Sequence, residues 1–287
     1  MAQPDILVTG ALGNVGAEVV KSLLAAGCPL RAGDIAPAAV SQRFGPGVEA
    51  LLLDYDRPET FTSALSGIQR LFLMRPPQIG NVKKYLFPFL ETARSAGVQQ
   101  VVFLSILGVE QNQRVPHYQV EQHLRASGLS WTFLRCSFFM QNLSTTHRAE
   151  IRDRDELYVP VGEARTSFLD VRDIGAVAAQ ALTQPGHEHH AYDLTGPEAL
   201  DYDQVAELLT HALGRKITYR NPSPLAFFTR QLGAKKSPMY ALVTTWLYTN
   251  TKRGMAEQVT GEVARLLGRE PIRMDQYIRD YRDCWMR

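Results

Sequence analysis

Three glycines near the start of the chain have the spacing of a phosphate-binding turn. Gly10, Gly13 and Gly16 follow the apolar run at residues 6–8, and an apolar periodic segment comes after them. In such a turn the first glycine permits a tight bend, the second admits a pyrophosphate close to the backbone, and the third lets helix and strand pack closely. The free N–H groups and the positive dipole end of the helix attract the anion. The alternative is an ordinary strand-to-helix turn. The contacts predicted for a dinucleotide here are Gly10, Leu12, Gly13, Asn14, Val15 and Gly16.

Acidic residues follow the next two predicted strands. Asp34 lies 18 residues beyond Gly16, close to the roughly 20 residues at which dinucleotide folds place a carboxylate for the adenosine ribose. A carboxylate there repels the extra phosphate of NADP, and a loop aspartate that caps the next helix is the alternative. Asp54 and Tyr55 come after the third strand and are candidates for the adenine edge. For Asp54, the alternative is a helix N-cap before Pro58.

The first half of the chain alternates short apolar runs with longer amphipathic segments. Strands are predicted at residues 6–8, 51–53, 71–74, 101–104 and 131–134, and helices at 17–26, 58–65, 82–96 and 120–126. Glycine follows each of these helices and supplies the left-handed conformation that ends it. Continuous apolar strands that alternate with helices indicate right-handed crossovers and a parallel sheet buried on both faces. We therefore expect an α/β fold with a doubly wound sheet.

The pattern changes after about residue 150. Residues 157–161 and 166–169 predict a small hairpin, and a helix at 171–182 with a strand at 191–194 predicts a return to the main sheet. The remaining periodic segments, 202–213, 224–232, 238–250, 256–267 and 274–285, are helical. We expect residues 1–155 with 170–196 to form the nucleotide-binding domain. Residues 156–169 with 197–287 should form a smaller, mainly helical lobe over the carboxyl ends of the strands.

Composition excludes several classes of partner. The 287 residues include 31 Lys and Arg against 29 Asp and Glu, and this balance indicates neither nucleic acid nor an anionic membrane. No apolar run approaches the roughly 18 residues of a membrane span. The three cysteines Cys28, Cys136 and Cys284 form no C-x-x-C pair, so neither a disulfide framework nor a zinc site is indicated. The histidine-rich segment 186–190 lacks helical spacing, so no metal is expected. We expect a cytoplasmic protein, since no signal peptide is visible.

Several blocks together resemble the NmrA-like branch of the atypical short-chain dehydrogenases/reductases. They are VTGALGNVG, LLLDYDRPETFTSALSGIQRLFL, SAGVQQVVFLSILGVE, HYQVEQHLRASGLSWTFLRCSFFMQN, FLDVRDIGAVAAQAL and YDLTGPEALDYDQVAELL, and they span almost the whole chain. That branch contains triphenylmethane-dye, azo-dye and quinone reductases as well as nucleotide-sensing regulators. The resemblance implies a Rossmann-type sheet that carries NAD(P) along its C-terminal edge, with a helical lobe that closes the substrate cleft.

The resemblance also implies where the nicotinamide and the substrate lie. The residues expected around the nicotinamide follow the fourth, fifth and sixth strands: Met74, Arg75, Pro76, Leu107, Gly108, Ser137, Phe138 and Phe139. Arg75 is expected to balance the pyrophosphate, with a solvated position at the rim as the alternative. The residues expected near a flat substrate are Phe139, Asn142, Tyr240 and Trp246. Core packing is the alternative for the aromatic residues among them.

Two positions depart from the relatives. Many relatives have an arginine suited to a 2′-phosphate just after the second strand, where this chain has Ile35 preceded by Asp34. This difference favours NAD over NADP. The short-chain dehydrogenases use Tyr-x-x-x-Lys to move a proton, but residues 117–122 read HYQVEQ and supply no lysine in either register. Ser105 ends the fifth strand, but Ile106 and Leu107 follow it, so the sequence does not identify the usual serine partner either.

Hydride transfer does not require that missing acid when the acceptor is electron-poor. Quinones and dyes need mainly to stack on the nicotinamide at hydride distance. His117 is the candidate proton donor, and Glu121, one helical turn away, is the candidate to orient it or to contact the nicotinamide ribose. The alternatives are a histidine at a helix start and a solvated glutamate.

Two functions remain open from the sequence. The first is an NAD(P)H-dependent reductase of a flat, electron-poor small molecule of the quinone or dye class. The second is an NAD(P)-binding redox sensor that changes its affinity for a protein partner without turnover. No basic recognition helix indicates nucleic acid, no membrane partner is expected, and assembly into a homo-oligomer is left open.

Overall fold

The computed structural model describes residues 3–252 and 254–287, and its chain divides into two compact units. The first unit ends at Cys136 and resumes over Val171–Leu194, and the second contains Ser137–Asp170 and the described residues of Thr195–Arg287. The expected first boundary at residue 155 therefore lies too late. Residues 137–155 belong to the second unit because Met140, Leu143 and Ile151 pack in its apolar core. They form two short helices that the sequence pattern did not predict.

Regular secondary structure covers most of both units. The strands are β1 Ile6–Thr9, β2 Leu30–Asp34, β3 Glu49–Leu52, β4 Arg70–Leu73, β5 Gln100–Ile106, β6 Ser130–Cys136, β7 Glu156–Tyr158, β8 His190–Leu194 and β9 Thr218–Arg220. The α-helices are α1 Asn14–Ala25, α2 Pro37–Phe44, α3 Phe61–Leu65, α4 Val82–Ser95, α5 Pro116–Ala126, α6 Gln141–Ser144, α7 Arg148–Arg154, α8 Val171–Thr183, α9 Tyr202–Leu213, α10 Pro224–Gly233, α11 Pro238–Thr251, α12 Glu262–Leu267 and α13 Met274–Asp280. Short 3₁₀ turns occupy Pro58–Thr60, Val109–Gln111 and Arg282–Trp285.

The first unit contains a seven-stranded sheet in the order β3-β2-β1-β4-β5-β6-β8. All neighbouring strands are parallel, with Ile6 of β1 opposite both Leu30 and Arg70. The strand order reverses between β1 and β4, which is where folds of this kind bind ligands outside the carboxyl ends of the strands. The doubly wound α/β fold expected from the sequence is confirmed.

Apolar side chains cover both faces of this sheet. On one face, Phe61 of α3, Phe89 of α4 and Leu124 of α5 join a buried cluster with Leu7 and Phe103 of the strands. On the other face, α1 packs against α8, which also contacts β4, β5 and β6. The buried surface explains why the strands are continuous apolar runs rather than alternating ones.

Close packing of α1 on α8 depends on a glycine. A Cβ on Gly175 would lie 2.7 Å from the carbonyl carbon and oxygen of Glu18. Because both atoms belong to the backbone of α1, a side chain at this position forces the two helices apart. A larger residue at position 175 would therefore weaken the packing of α8 on α1.

The second unit has a two-stranded sheet and its own apolar core. β7 pairs in parallel with β9, and the core includes Leu209, Phe227, Tyr277 and Trp285. The expected hairpin of residues 157–161 and 166–169 is wrong, since Thr166 exchanges backbone hydrogen bonds with Leu200 instead. Apolar alternation shows that a strand needs a partner but does not select it. Within the described residues, no helix has the length and apolar character needed to cross a bilayer.

Candidate functional site

The glycine turn connects β1 to α1 at the carboxyl edge of the sheet. Gly10 adopts φ +64°, a left-handed conformation that favours glycine. A Cβ on Gly16 would lie 2.8 Å from the carbonyl carbon of Gly10, and closer still to the carbonyl oxygen. The absence of a side chain at Gly16 therefore lets the first turn of α1 press against the bend.

The N-terminus of α1 presents backbone donors at this edge. Its N-cap is Gly13, no side chain within the described residues caps the helix, and no acidic residue occupies its first turn. The first N–H groups of a helix have no partner inside the helix, and its dipole is positive at this end. A pyrophosphate is a suitable acceptor for these groups.

Asp34 is held against the glycine turn. The carboxylate at the end of β2 accepts a hydrogen bond from the Leu12 N–H at 3.1 Å. The Leu12 carbonyl in turn accepts one from Arg43 of α2 at 3.0 Å. Ile35, the next residue along, is 70% exposed. This side of the turn thus combines a fixed carboxylate, an exposed apolar side chain and one guanidinium.

The residues after β3 have local roles. Asp54 accepts a hydrogen bond from the Asp56 N–H at 3.0 Å and so stabilises the turn. Tyr55 is buried, its ring meets Phe89 edge-on, and its hydroxyl donates to the Met74 carbonyl at 3.3 Å. Burial raises the pKa of Tyr55. The adenine contact expected of Tyr55 loses support, because its side chain belongs to the core.

Arg75 secures the loop that follows β4. Its Nη1 donates to the carbonyls of Pro76, Pro77 and Ile79 at 2.9, 3.3 and 2.8 Å. Burial lowers the pKa of this guanidinium. The arginine therefore has a third role, besides the pyrophosphate contact and the solvated rim considered from the sequence: it fixes the loop that begins at Pro76.

Met74 links the same loop to the glycine turn. Its N–H donates to the hydroxyl of Thr9 at 2.9 Å. Its side chain covers Gly10, since Sδ would lie 3.4 Å from a Cβ at that position. Of the three residues expected here after β4, Met74 therefore lies beside the turn that is predicted to hold the pyrophosphate.

His117 accepts a hydrogen bond in its contact with Arg75. Arg75 Nε donates toward His117 Nε2 at 3.4 Å. Burial, and then the charge of Arg75, lower the pKa of His117 to about 3. The imidazole is therefore neutral near pH 7, and the expectation that it donates a proton there loses its support.

The low pKa of His117 predicts a pH dependence of stability. The unfolded chain binds a proton at about pH 6.5, whereas the folded chain does so only near pH 3. Stability is therefore retained above about pH 6.5 and falls as the pH drops, by up to about 1.4 kcal/mol per unit. Urea unfolding at a series of pH values measures this slope. His117→Gln should make the slope smaller, and an unchanged slope contradicts the assignment.

Glu121 lies in a buried ion pair instead of a solvated position. Its side chain is 1% exposed. One oxygen accepts from the Ser105 hydroxyl at 2.7 Å and from Arg135 Nε at 3.1 Å, and the other accepts from Arg135 Nη2 at 2.8 Å. The carboxylate is thereby satisfied within the protein. Neither expected role, orientation of His117 or contact with a ribose, is supported by these contacts.

Arg135 joins two glutamates at the carboxyl ends of β5 and β6. Besides Glu121 it pairs with Glu110, at 3.2 Å, from the 3₁₀ turn after β5. Burial opposes the charge of Arg135, but the hydrogen bonds and charges of the two glutamates outweigh it, so its pKa is raised. The network connects α5, both strands and the turn Val109–Gln111.

Leu107 and Gly108 occupy the short link between β5 and that turn. The Leu107 N–H donates to the Cys136 carbonyl at 3.0 Å. Gly108 has φ +71°, which a glycine adopts readily. The backbone of these two residues therefore lies at the carboxyl end of β5, and their contact with the nicotinamide stays a prediction.

The remaining candidates belong to the second unit. The Ser137 hydroxyl accepts from Ser167 at 3.0 Å, and Phe138 packs against the apolar core beside Tyr248. Phe138 therefore follows the core alternative. Phe139, Asn142 and Tyr240 are partly buried, as Phe138 is, and Trp246 is exposed.

The histidine-rich segment is engaged in local contacts. His187 Nδ1 lies 3.0 Å from the Tyr192 hydroxyl, and the ring of His190 stacks on the same tyrosine. In the part of the chain that the structure describes, no group of three or more His, Cys, Asp or Glu side chains is arranged to hold a metal ion.

Comparison with known protein families identifies the family to which this fold and glycine turn belong. The model of the NmrA-like family matches residues 2–278. The chain belongs to the NmrA-like family. The resemblance noted in the sequence is thereby confirmed. NAD(P)H azoreductase from Xenophilus azovorans is 38% identical over 218 residues, which cover 75% of this chain and 76% of that protein.

Solved structures share the fold of this NmrA-like protein. The NADPH-dependent quinone oxidoreductase of Escherichia coli complexed with NADPH superposes with a TM-score of 0.85 at 23% identity, over 95% of this chain and 98% of the other. NmrA, a negative transcriptional regulator in complex with NADP, superposes with a TM-score of 0.71 at 19% identity, over 97% and 95%. At such identities the likeness establishes the fold alone.

Sequence reasoning missed two arginines of this NmrA-like protein. Arg43 lies in α2, which was not among the predicted helices although Pro37 begins it. Arg135 lies within an apolar strand, opposite Ser105 in the register of β5 and β6. A charge inside an apolar strand is itself a signal, because it requires a buried partner.

Proposed function

We propose that this protein is an NAD(P)H-dependent reductase that delivers a hydride directly to a flat, electron-poor small molecule of the quinone or dye class. The glycine turn at the switch point of the sheet carries this proposal, because its uncapped helix N-terminus suits a pyrophosphate. The azoreductase among the relatives supports the acceptor class.

The residues of the first unit suit binding better than proton transfer. The bound nicotinamide supplies the hydride. The turn Gly10–Gly16 holds the pyrophosphate, and Asp34 accepts hydrogen bonds from the adenosine ribose. His117 is neutral near pH 7, and both carboxylate oxygens of Glu121 already accept hydrogen bonds from Arg135. An acceptor that tolerates hydride addition and then takes its proton from water fits this arrangement.

A preference for NADH over NADPH forms part of the proposal. The carboxylate of Asp34, held by Leu12, repels a 2′-phosphate, and Ile35 offers it no cation. Arg43 is the opposing charge, but its guanidinium already binds the Leu12 carbonyl.

Calorimetric titration with each nucleotide tests this preference. Wild-type protein should bind NADH at least about tenfold more tightly than NADPH, and Asp34→Ser should remove about 1.4 kcal/mol of that difference. Arg43→Gln, on the other side of the same turn, is the matched control and should leave the preference for NADH. Tighter binding of NADPH by the wild type, lost in Arg43→Gln, would show that the arginine decides instead.

Turnover is tested on protein loaded with the preferred reduced nucleotide. Addition of menadione or an azo dye should cause loss of the absorbance of the reduced nicotinamide. The absence of any loss across both classes of acceptor contradicts the reductase proposal.

A second candidate is a redox sensor that binds the nucleotide without consuming it. The neutral state of His117, the candidate proton donor, favours this function, and NmrA, a regulator, has the same fold. A sensor should bind the oxidised and reduced nucleotides with different affinity, and it should consume neither.

A further inference from the structure

Exposed apolar side chains are concentrated in one segment of the second unit. Eleven large apolar residues are exposed among those described, and nine of them lie between residues 225 and 259. The nine are Leu225, Leu232, Met239, Leu242, Val243, Trp246, Leu247, Met255 and Val259. Single exposed apolar side chains are ordinary, but a contiguous set marks an interaction surface.

The helix α11 presents the centre of this set. Met239, Leu242, Val243 and Trp246 recur at the spacing of one helical face, and each is at least 50% exposed. Ala241 and Tyr248 occupy the opposite face and are buried. The helix is therefore apolar on two sides, and only one of them is needed by the core.

The charged residues in the segment around this face are all positive. Between Glu207 and Glu257 the sequence contains no acidic residue but eight Lys and Arg. Lys235 and Lys236 are exposed just before α11, and Lys252 is exposed just after it. These three lysines have no acidic partner within the described residues, whereas Arg230 pairs with Glu150 and Glu156.

This charge distribution argues against a second copy as the occupant. If α11 paired with the α11 of a second copy about a twofold axis, lysines at the ends of one helix would lie beside lysines at the ends of the other. Such an arrangement brings like charges together at both ends of the contact. The unpaired lysines favour an anionic partner instead.

We propose that the α11 face, defined by Met239, Leu242, Val243 and Trp246 with the flanking lysines, binds the surface of an anionic lipid bilayer. A single helical ridge needs no complementary groove there, because acyl chains adapt to the apolar side chains. Tryptophan suits the interface, and lysines reach the lipid phosphates. The expectation of no membrane partner rested on the net charge of +2, and that average conceals the local excess.

Co-sedimentation of the full chain with vesicles tests the proposal. The protein should pellet with vesicles of phosphatidylcholine and phosphatidylserine, far less with phosphatidylcholine alone, and less as salt is raised. Leu242→Ser combined with Val243→Ser should lower the partition at least about tenfold, and Lys235→Glu with Lys236→Glu should do the same. Met286→Ser changes an exposed apolar residue outside the segment and is the matched control.

Several results overturn the proposal. These are no binding to anionic vesicles, equal binding to neutral vesicles, or binding that the Leu242 and Val243 changes leave intact. A dimer detected by analytical ultracentrifugation and dissociated by those changes, without vesicle binding, assigns the face to a second copy. Binding of polyglutamate without vesicle binding assigns it to an acidic protein. Thermal unfolding of each variant shows that the fold is retained.

Discussion

Gly16→Ala strongly weakens nucleotide binding if the glycine turn holds the pyrophosphate. The added Cβ would lie 2.8 Å from the Gly10 carbonyl carbon and 3.2 Å from the Ala11 Cα, both backbone atoms that cannot rotate away. The helix start must therefore move outward, and its N–H groups no longer converge on the anion. Calorimetric titration with the preferred nucleotide should show at least about a hundredfold loss of affinity, or about 2.7 kcal/mol.

Alanine substitutions at two other glycines provide a control and an intermediate loss of affinity. Gly47→Ala adds a Cβ that meets nothing within 4 Å and should bind nucleotide as the wild type does. Gly13→Ala places its Cβ 3.2 Å from the Gly10 carbonyl oxygen and should give an intermediate loss. If Gly16→Ala unfolds at the assay temperature, the Gly13 variant still carries the test. Wild-type affinity in a folded Gly16→Ala variant contradicts the proposed role of the turn.

Arg135→Met destabilises the protein by about 3 to 5 kcal/mol, as expected when one partner of a buried ion pair is removed. The substitution leaves the Glu121 carboxylate, 1% exposed, without two of its three hydrogen bonds. The 14% exposure of Arg135 admits some water, so the lower end of the range is expected. Denaturant unfolding followed by circular dichroism measures the change.

A surface ion pair supplies the control for Arg135. Arg279→Met breaks the pair with Asp275, whose members are 58% and 40% exposed, and should cost less than about 1 kcal/mol. Arg135→Met combined with Glu121→Leu should recover much of the lost stability, because no buried charge is left unpaired and Glu110, the other partner of Arg135, is 49% exposed. Equal costs for Arg135→Met and Arg279→Met show that the buried pair does not support the sheet edge.

The ion pair of Glu121 and Arg135 also bears on proton transfer in the first unit. Glu121 lies where the related dehydrogenases have a lysine in one register of the sequence, and its carboxylate is neutralised by Arg135. His117, which precedes it on α5, is kept neutral by burial and by Arg75. The histidine of this helix is thus neutral near pH 7, which favours acceptors that need only a hydride.

The sequence by itself determined the fold of the first unit and the place of its glycine turn. Apolar runs separated by helical periodicity leave a buried parallel sheet as the consistent arrangement. The spacing of Gly10, Gly13 and Gly16 requires a bend followed by a helix start, since both depend on local conformation. The position of Asp34 at the end of β2 was predicted for the same reason, because neighbouring residues determine where a strand ends.

Only the tertiary structure decided which polar groups meet. Arg75 contacts His117 across 42 residues, and Glu121 meets Arg135 across 14. Such partners come from the register of β5 and β6 and from the placement of α5, which no local pattern encodes. The pairing of β7 with β9, and the exposure of one apolar face of α11, have the same origin. Apolar side chains favour burial, but the packing of distant segments determines which of them are buried.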